Sequence, residues 1–260
     1  MNAPFHCGVD IGSSYAKAVL LDASGALAAG AVRRTGVDFA GVAEALREDL
    51  LRAVPDARGA AFGRTVATGY GRDNVPFATG RITEVTCLAT ACWHLYREAL
   101  TAIDVGGQDT KVVRVGPGGE VADFTMNDKC AAGTGRFLEV ILPRLGVPWD
   151  EVAMRYQTAP KPVSISSTCT VFAESEVISL LANGESVEGI VKGLHTALAD
   201  RVAALAGRLL AGAPAVFLSG GVARNPAMVA ALSAKLGREV SVVPDPQLVG
   251  ALGAALSLPG

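Results

Sequence analysis

Two cysteines stand in near-twin surroundings. Cys130 lies in NDKCAAGTGRFLE, residues 127–139, and Cys169 lies in SISSTCTVFAESEVI, residues 164–178. In both, a turn rich in small and hydroxyl residues gives way to an amphipathic helical pattern. The partial positive charge of a helix N-terminus stabilises a thiolate or an anionic cluster. The chemistry this pair suggests is a thiolate-rich iron site.

A second constellation is built from carboxylates, glycines and lysines. The segment Cys7 to Ile11 is a short apolar strand carrying Asp10, followed by the turn Gly12-Ser13-Ser14 and a returning strand, Ala16 to Leu21, that carries Lys17. The pattern recurs in AIDVGGQDTKVVRV, where Asp104, the turn Gly106-Gly107 and Lys111 repeat the spacing 94 residues later. Glycine lets backbone N–H groups approach phosphate oxygens, and a carboxylate at each strand end holds magnesium through water. One such turn is an ordinary hairpin, whereas a matched pair points to two similar lobes facing a nucleotide. A P-loop or a dinucleotide fold is excluded, because in both the glycine turn opens a helix. Later in the chain, AVFLSG runs into Gly220-Gly221-Val222-Ala223-Arg224-Asn225 and a helix over 226–236. That turn either receives a base and ribose through Gly220, Gly221 and Asn225 or is a tight strand-to-helix connection.

The elements that position these residues are legible from hydrophobic periodicity. Helices are expected at 40–53, 84–99, 133–144, 171–183 and 187–211, with strands early in each lobe. The expected architecture is α/β with duplicated strand-turn-strand units. Residues 1–100 form the first lobe, with a small-residue helix over 246–260 packing back on it, and residues 101–245 form the second. A chain of 260 residues, half of them hydrophobic, has a sizeable core to bury. A net charge of −2 leaves no basic excess for a phosphate backbone, which argues against nucleic acid. MNAPFHCGVDIG has no basic leader and no stretch approaches a membrane span, so a cytoplasmic location is expected, with the five cysteines as reduced thiols or metal ligands.

The hairpins GVDIGSSYAK and AIDVGGQDTK, the two cysteine segments and the turn SGGVARN resemble, across nearly the whole chain, the ATP-dependent activator component of 2-hydroxyacyl-CoA dehydratases. That family is one of the BadF/BadG/BcrA/BcrD ATPases, within the two-lobed acetate kinase, sugar kinase, Hsp70 and actin (ribonuclease H-like) superfamily. The nucleotide turns are shared by the superfamily, and the cysteine motifs are the specific part. The resemblance implies one [4Fe-4S] cluster per homodimer, each subunit giving Cys130 and Cys169, together with ATP/ADP and Mg2+ near Asp10 and Asp104. It also implies an electron accepted from ferredoxin or flavodoxin and passed, with ATP hydrolysis, to a partner acyl-CoA dehydratase of anaerobic metabolism. Two cysteines per chain agree with this, since a cubane needs four thiolates. One departure is Leu88-Ala89-Thr90-Ala91 after Cys87, where the family has His-Ala-x-Gly.

Other residues carry two readings. Gln108 and Asp109 orient an attacking water or cap the second turn, and Glu84 faces the nucleotide or is a helix N-terminal carboxylate. Cys87 and Cys92 read as buried small apolar residues, Cys7 as core, and His94 and His195 as packing. Three other functions share parts of the pattern. An electron-activating subunit of a benzoyl-CoA or double-cubane reductase would keep the cysteines, a small-molecule kinase has no use for them, and an Hsp70-like or actin-like binding module needs more chain.

Overall fold

The computed structural model describes residues 5–58, 64–166 and 169–257. Ser167 and Thr168 of the second cysteine segment, and residues 258–260 of the expected last helix, lie outside the described residues. The chain divides into two compact units, one of Met1–Ala102, Val113–Asp123 and Pro244–Gly260, the other of Ile103–Val112 and Phe124–Val243. Val113–Asp123 groups with the first unit because Gly119, at φ +85°, lies flat against the Trp93 indole, where a Cβ would sit 2.5 Å from the ring.

The first sheet contains β1 (His6–Ile11), β2 (Tyr15–Leu21), β3 (Leu27–Arg34), β4 (Arg64–Thr68) and β5 (Gly80–Arg81), in the order β3-β2-β1-β4-β5. Strand β1 pairs antiparallel with β2, setting Asp10 opposite Lys17, and parallel with β4, setting Asp10 opposite Thr68. Val9 and Ile11 of β1 and Ala16, Ala18, Val19 and Leu20 of β2 are fully buried, as the near-continuous apolar runs require. The second sheet contains β6 (Leu100–Val105), β7 (Thr110–Val115), β8 (Val121–Asn127), β9 (Val216–Ser219) and β10 (Ser241–Val242). From its β8 edge the order is β8-β7-β6-β9-β10, the order of the first sheet with each strand replaced by its counterpart. The duplication seen in two hairpins therefore extends to five strands.

In the first unit, α1 (Phe39–Ala53) buries Ala43, Leu46 and Leu50 along one stripe and is capped by Asp38, whose carboxylate accepts from Gly41 N at 2.9 Å. Helix α2 (Glu84–Tyr96) starts at the cap Thr83 and ends three residues before the expected position, because Arg97 turns into the left-handed region at φ 55°. Helix α8 (Val249–Leu256) is shorter than the expected 246–260. It packs on β1 and α2 through glycines: a Cβ on Gly8 would collide with the Ala251 carbonyl, and one on Gly253 with the Cys87 carbonyl.

In the second unit, α6 (Val187–Ala206) is the central element, with Ile190, Val191, Leu194, Leu198, Ala199 and Ala206 fully buried in the core. It ends at Gly207 rather than at residue 211, since φ +26° there breaks the α ladder into a short 3-10 turn. Around it stand α3 (Gly135–Ile141), α4 (Val152–Thr158), α5 (Thr170–Ala182) and α7 (Pro226–Leu236). The helix expected over 133–144 is shorter: Ala131–Gly133 form a 3-10 turn, and after Ile141 a second 3-10 turn containing Pro143 closes at Gly146 in the left-handed region. Among the described residues no helix is long and apolar enough to cross a membrane.

The contact between Gly253 and the Cys87 backbone generates a stability prediction of definite sign. Alanine in a helix interior gains about 1 kcal/mol over glycine, whereas overpacking against an unyielding backbone costs about 1–3 kcal/mol. Because the obstructing atoms are main chain, the second effect wins. Gly253→Ala is expected to lower the urea midpoint, and a variant at least as stable as the parent would show that α8 and α2 are not in such close contact.

Candidate functional site

The first hairpin concentrates charge at the end of a buried strand. Asp10 is 8% exposed and pairs with Lys17 Nζ at 3.0 Å. The turn Gly12-Ser13-Ser14 is partly open to solvent, and its back is fixed by Thr35, whose hydroxyl donates to the Gly12 carbonyl at 2.6 Å and whose N–H donates to the Ser14 carbonyl at 3.1 Å. Gly69 and Gly250 close around the same carboxylate: a Cβ on either would lie 2.5 and 2.7 Å from an Asp10 oxygen. Glu84, the first residue of α2, is half-buried. Asp10 and Glu84 both act on the nearby Cys87 thiol, which burial foremost pushes up to about 12. Cys87 is thus an inert core thiol, as is Cys7, which burial also raises to about 12, and Cys92 is fully buried.

The second hairpin repeats the turn but rewires the lysine. Lys111 is 3% exposed and binds Asp109 at 2.5 Å, standing 4.0 Å from Asp104. Asp104 accepts from the Ser219 hydroxyl of β9 at 2.7 Å. Gly106 N donates to the Asp109 carbonyl at 2.9 Å and closes the turn, with Gly107 half-open and Gln108 exposed at the tip.

Each unit also carries a glycine turn beside its hairpin. Gly220 follows β9 at φ +85°, and a Cβ there would collide with the Val105 carbonyl. Gly69 follows β4 at φ +90°, with its Cβ position 2.5 Å from the Ile11 carbonyl. Both turns lie over the strand that carries the aspartate, and both need the bare backbone that only glycine supplies at positive φ. Sequence reading found Gly220 and missed Gly69; the signal was the strand RTVAT running into Gly69-Tyr70-Gly71. Gly221 opens a 3-10 turn that ends at Asn225. The Asn225 side chain is occupied by protein on both sides. Its Oδ1 accepts from Ala227 N at 3.0 Å, capping α7, and its Nδ2 donates to His195 Nε2 at 2.9 Å. His195 Nδ1 in turn donates to the Val191 carbonyl at 2.7 Å, which fixes the neutral tautomer. His195 is therefore more than packing.

The two remaining cysteines differ from the others in being exposed. Cys169 caps the 13-residue α5, and Cys130 precedes the 3-10 turn rather than an α-helix. Asn127 shapes the Cys130 loop by accepting from Cys130 N at 3.1 Å and donating to the Cys130 carbonyl at 2.8 Å. Beyond Cys130 the loop is hydrogen-bonded to the second hairpin. Gly135 N donates to the Gly106 carbonyl at 2.8 Å and Arg136 N to the Gly107 carbonyl at 2.9 Å. The Thr134 hydroxyl lies 3.0 Å from the Gly107 carbonyl, and the Thr110 hydroxyl donates to the Gly133 carbonyl at 2.7 Å. From α6, Arg201 donates to the Ala132 carbonyl at 3.1 Å, with its guanidinium 4.7 Å from the Phe137 ring centroid. Burial lowers its pKa, opposed by the charges of Cys130 and Asp200. Among the described residues no three His, Cys, Asp or Glu side chains gather as a metal site. Cys130 and Cys169 are thus the exposed sulfur donors, a soft ligand type of the kind iron–sulfur clusters take.

Two matched sheets, two glycine hairpins with acidic strand ends and two backing glycine turns make up an α/β fold of the class that includes ROK family sugar kinases. Within that class the chain belongs to the BadF/BadG/BcrA/BcrD ATPase family, which it matches over residues 7–257. It is 45% identical to the activator of lactoyl-CoA dehydratase from Anaerotignum propionicum over 250 residues, 96% of this chain and 95% of that one. It is similar to the solved structure of the activator of the 2-hydroxyisocaproyl-CoA dehydratase from Clostridium difficile with bound ADPNP, with TM-score 0.89, 41% identity and coverage of 97% and 93%. A benzoyl-CoA reductase subunit from Thauera aromatica is 33% identical over 74% of this chain and 70% of its own length.

The buried His195 generates a pH prediction. Burial, the dominant cause, lowers its pKa to about 4, while the Val191 carbonyl opposes the shift. In the unfolded chain an imidazole titrates near 6.5. Between those values the unfolded state binds a proton that the folded state refuses, so stability is lost as pH falls from about 6.5 towards 4, by up to about 3 kcal/mol. His195→Gln keeps an acceptor for Asn225 and cannot titrate in this range. Urea unfolding of both proteins from pH 7 to 4.5 should show a shallower acid loss in the variant, and identical slopes would exclude His195 as the source.

Proposed function

We propose that this chain is an ATP-dependent activator that passes a low-potential electron to a 2-hydroxyacyl-CoA dehydratase, using Mg2+ and ATP and a [4Fe-4S] cluster shared between two copies of the chain. The observation that carries the reading is the hydrogen-bonded seam between the Gly106–Gly107 turn and the loop that begins at Cys130. It joins a phosphate-type turn to an exposed thiol, a connection that a kinase does not need. In this reading the N–H groups at Gly12–Ser14 and at Gly107 and Gln108 meet phosphate oxygens, with Gly106 closing the second turn on Asp109 and Lys17 and Lys111 adding charge. Asp10 and Asp104 already accept from Lys17 and Ser219, which suits contact with Mg2+ through water. Gln108 or Asp109, and Glu84 in the first unit, are the groups assigned to orienting the hydrolytic water. Gly220, Gly221 and the Asn225-capped turn receive the adenosine. Since both ends of the Asn225 amide are engaged, its part is to shape the turn.

Cys130 and Cys169 of each copy would hold the cluster, which supplies one-electron redox chemistry when bound. The α5 surface that follows Cys169 presents Val171, Phe172 and Ile178 at 68%, 69% and 55% exposure, an apolar face that suits a second copy. A shift of a few hundred millivolts corresponds to several kcal/mol, at about 1.4 kcal/mol per ~59 mV for one electron, within reach of differential nucleotide binding. Ferredoxin or flavodoxin is the proposed donor. The likeness to the benzoyl-CoA reductase component favours a second reading in which the acceptor is a reductase of that kind, with the same residues in the same roles.

Iron and acid-labile sulfide per chain, measured on anaerobically purified protein of known solution mass, decide between activator and kinase. The expected result is about four iron per dimer, lost in both Cys130→Ser and Cys169→Ser. An iron-free monomer that still binds ATP would overturn the activator reading and return the chain to the kinases.

A further inference from the structure

Cys130 and Cys169 share a sequence context, but the structure does not treat them alike. The loop from Cys130 to Arg136 is fastened to the second hairpin by Gly135 N on the Gly106 carbonyl, Arg136 N on the Gly107 carbonyl and the Thr110 hydroxyl on the Gly133 carbonyl, at 2.7–2.9 Å. Cys169 instead leads directly into α5, its carbonyl accepting from Ala173 N at 2.9 Å. Ala173 and Val177 then anchor that helix in the core. The Cys169 backbone is thus committed to its own helix, and the Cys130 loop to the hairpin.

Within the seam Thr134 holds a special place. It is fully buried, and its hydroxyl is 3.0 Å from the Gly107 carbonyl of the hairpin and 2.8 Å from the Ala131 carbonyl, one residue past Cys130. One hydroxyl proton shared between two acceptors distinguishes small displacements of either. If the Gly107–Gln108 peptide rotates when the Gln108 N–H meets a phosphate, the Gly107 carbonyl turns as well, because the two groups belong to one planar peptide. The hydroxyl then moves towards or away from Ala131.

We infer that Thr134 is a positioning residue that transmits the nucleotide state of the Gly106–Gly107 turn to Cys130 and not to Cys169, so that one thiol of the pair is nucleotide-responsive and the other is fixed. The inference rests on the nucleotide-binding part of the proposed function and needs no cluster. It also predicts that removal of the hydroxyl leaves the fold standing. The Gly107 carbonyl keeps Arg136 N and the Ala131 carbonyl keeps Thr134 N, so Thr134→Val strands no buried acceptor.

The test is alkylation of the iron-free full chain with iodoacetamide, the rate at each cysteine being read by peptide mass spectrometry with and without a non-hydrolysable ATP analogue. Analogue affinity is measured in parallel by calorimetry. Cys7, Cys87 and Cys92 are buried and serve as markers of unfolding. In the parent the analogue should change the Cys130 rate at least threefold and leave the Cys169 rate within the error. Thr134→Val should bind the analogue with unchanged affinity yet lose the Cys130 response, and Thr134→Ser, which restores a hydroxyl, should regain it. A response that survives in Thr134→Val, or a parent that binds the analogue with no change at Cys130, overturns the inference and leaves the proposed function intact. Equal responses at both cysteines of the parent overturn it even if Thr134→Val fails to fold. A parent that does not bind the analogue overturns the proposed function, and the inference with it.

Discussion

The constraint on which the rest of the structure depends is the hydrogen bonding of one turn. In the proposed reading the Gly107 and Gln108 N–H groups meet a phosphate, while the Gly106 N–H closes the turn on the Asp109 carbonyl and the carbonyls of Gly106 and Gly107 accept from Gly135, Arg136 and Thr134. A peptide has one donor and one acceptor on opposite edges, so a turn with both edges committed conveys a change on one to the other. Glycine is required on both sides of the seam. A Cβ at Gly106 would lie 2.6 Å from an Asp109 oxygen, and one at Gly135 would lie 2.9 Å from a Val222 methyl and 3.0 Å from the Gly106 carbonyl. Such spacing explains why the α-helix starts only at Gly135: the residues before it are occupied in reaching the hairpin.

The duplication repeats the strand order of one sheet in the other, and the two hairpins differ in which group holds the aspartate. In the first unit Lys17 pairs with Asp10 directly across the strand ladder. In the second, Asp109 stands where the first hairpin has Tyr15 and draws Lys111 to itself, leaving Asp104 to Ser219. A buried charge without a partner costs several kcal/mol, so each arrangement must be complete in itself. The two aspartates therefore differ at equivalent strand positions: Asp10 has its lysine at 3.0 Å, whereas Asp104 bonds a hydroxyl and shares a lysine, 4.0 Å away, with Asp109.

Much of this was legible in the sequence because it depends on period and on local chemistry. The apolar runs around Asp10 and Asp104 specify buried strands, and the 94-residue echo specifies duplication. What escaped depends on contacts between residues distant in sequence. Gly69 and Gly250 around Asp10, Thr35 behind the first turn and Thr134 between Gly107 and Ala131 have no local signature, since an isolated glycine or threonine reads as turn or surface. Helix ends depart from expectation where one residue overrides propensity: Arg97 and Gly207 adopt backbone angles that no hydrophobic pattern announces. His195 shows the same limit. An apolar neighbourhood predicts its burial, but its hydrogen bond to Asn225 spans 30 residues.

That bond is one of those by which α6, the longest helix among the described residues, reaches neighbouring loops. His195 and Arg201 are six residues apart, a rise of about 9 Å at 1.5 Å per residue. One reaches Asn225 at the glycine turn after β9, and the other reaches Ala132 in the Cys130 loop. The two loops, which also send Ala132, Val222 and Ala223 into the core, are thus referred to the same element, buried along a stripe from Ile190 to Val202. The seam at Gly107 is short, and a sub-ångström displacement there is meaningful only relative to something that does not move. Helix α6 is that reference. Through Arg201 it holds Ala132, two residues past Cys130, and through His195 it holds Asn225, so the cysteine loop and the glycine turn after β9 are positioned by one packed element.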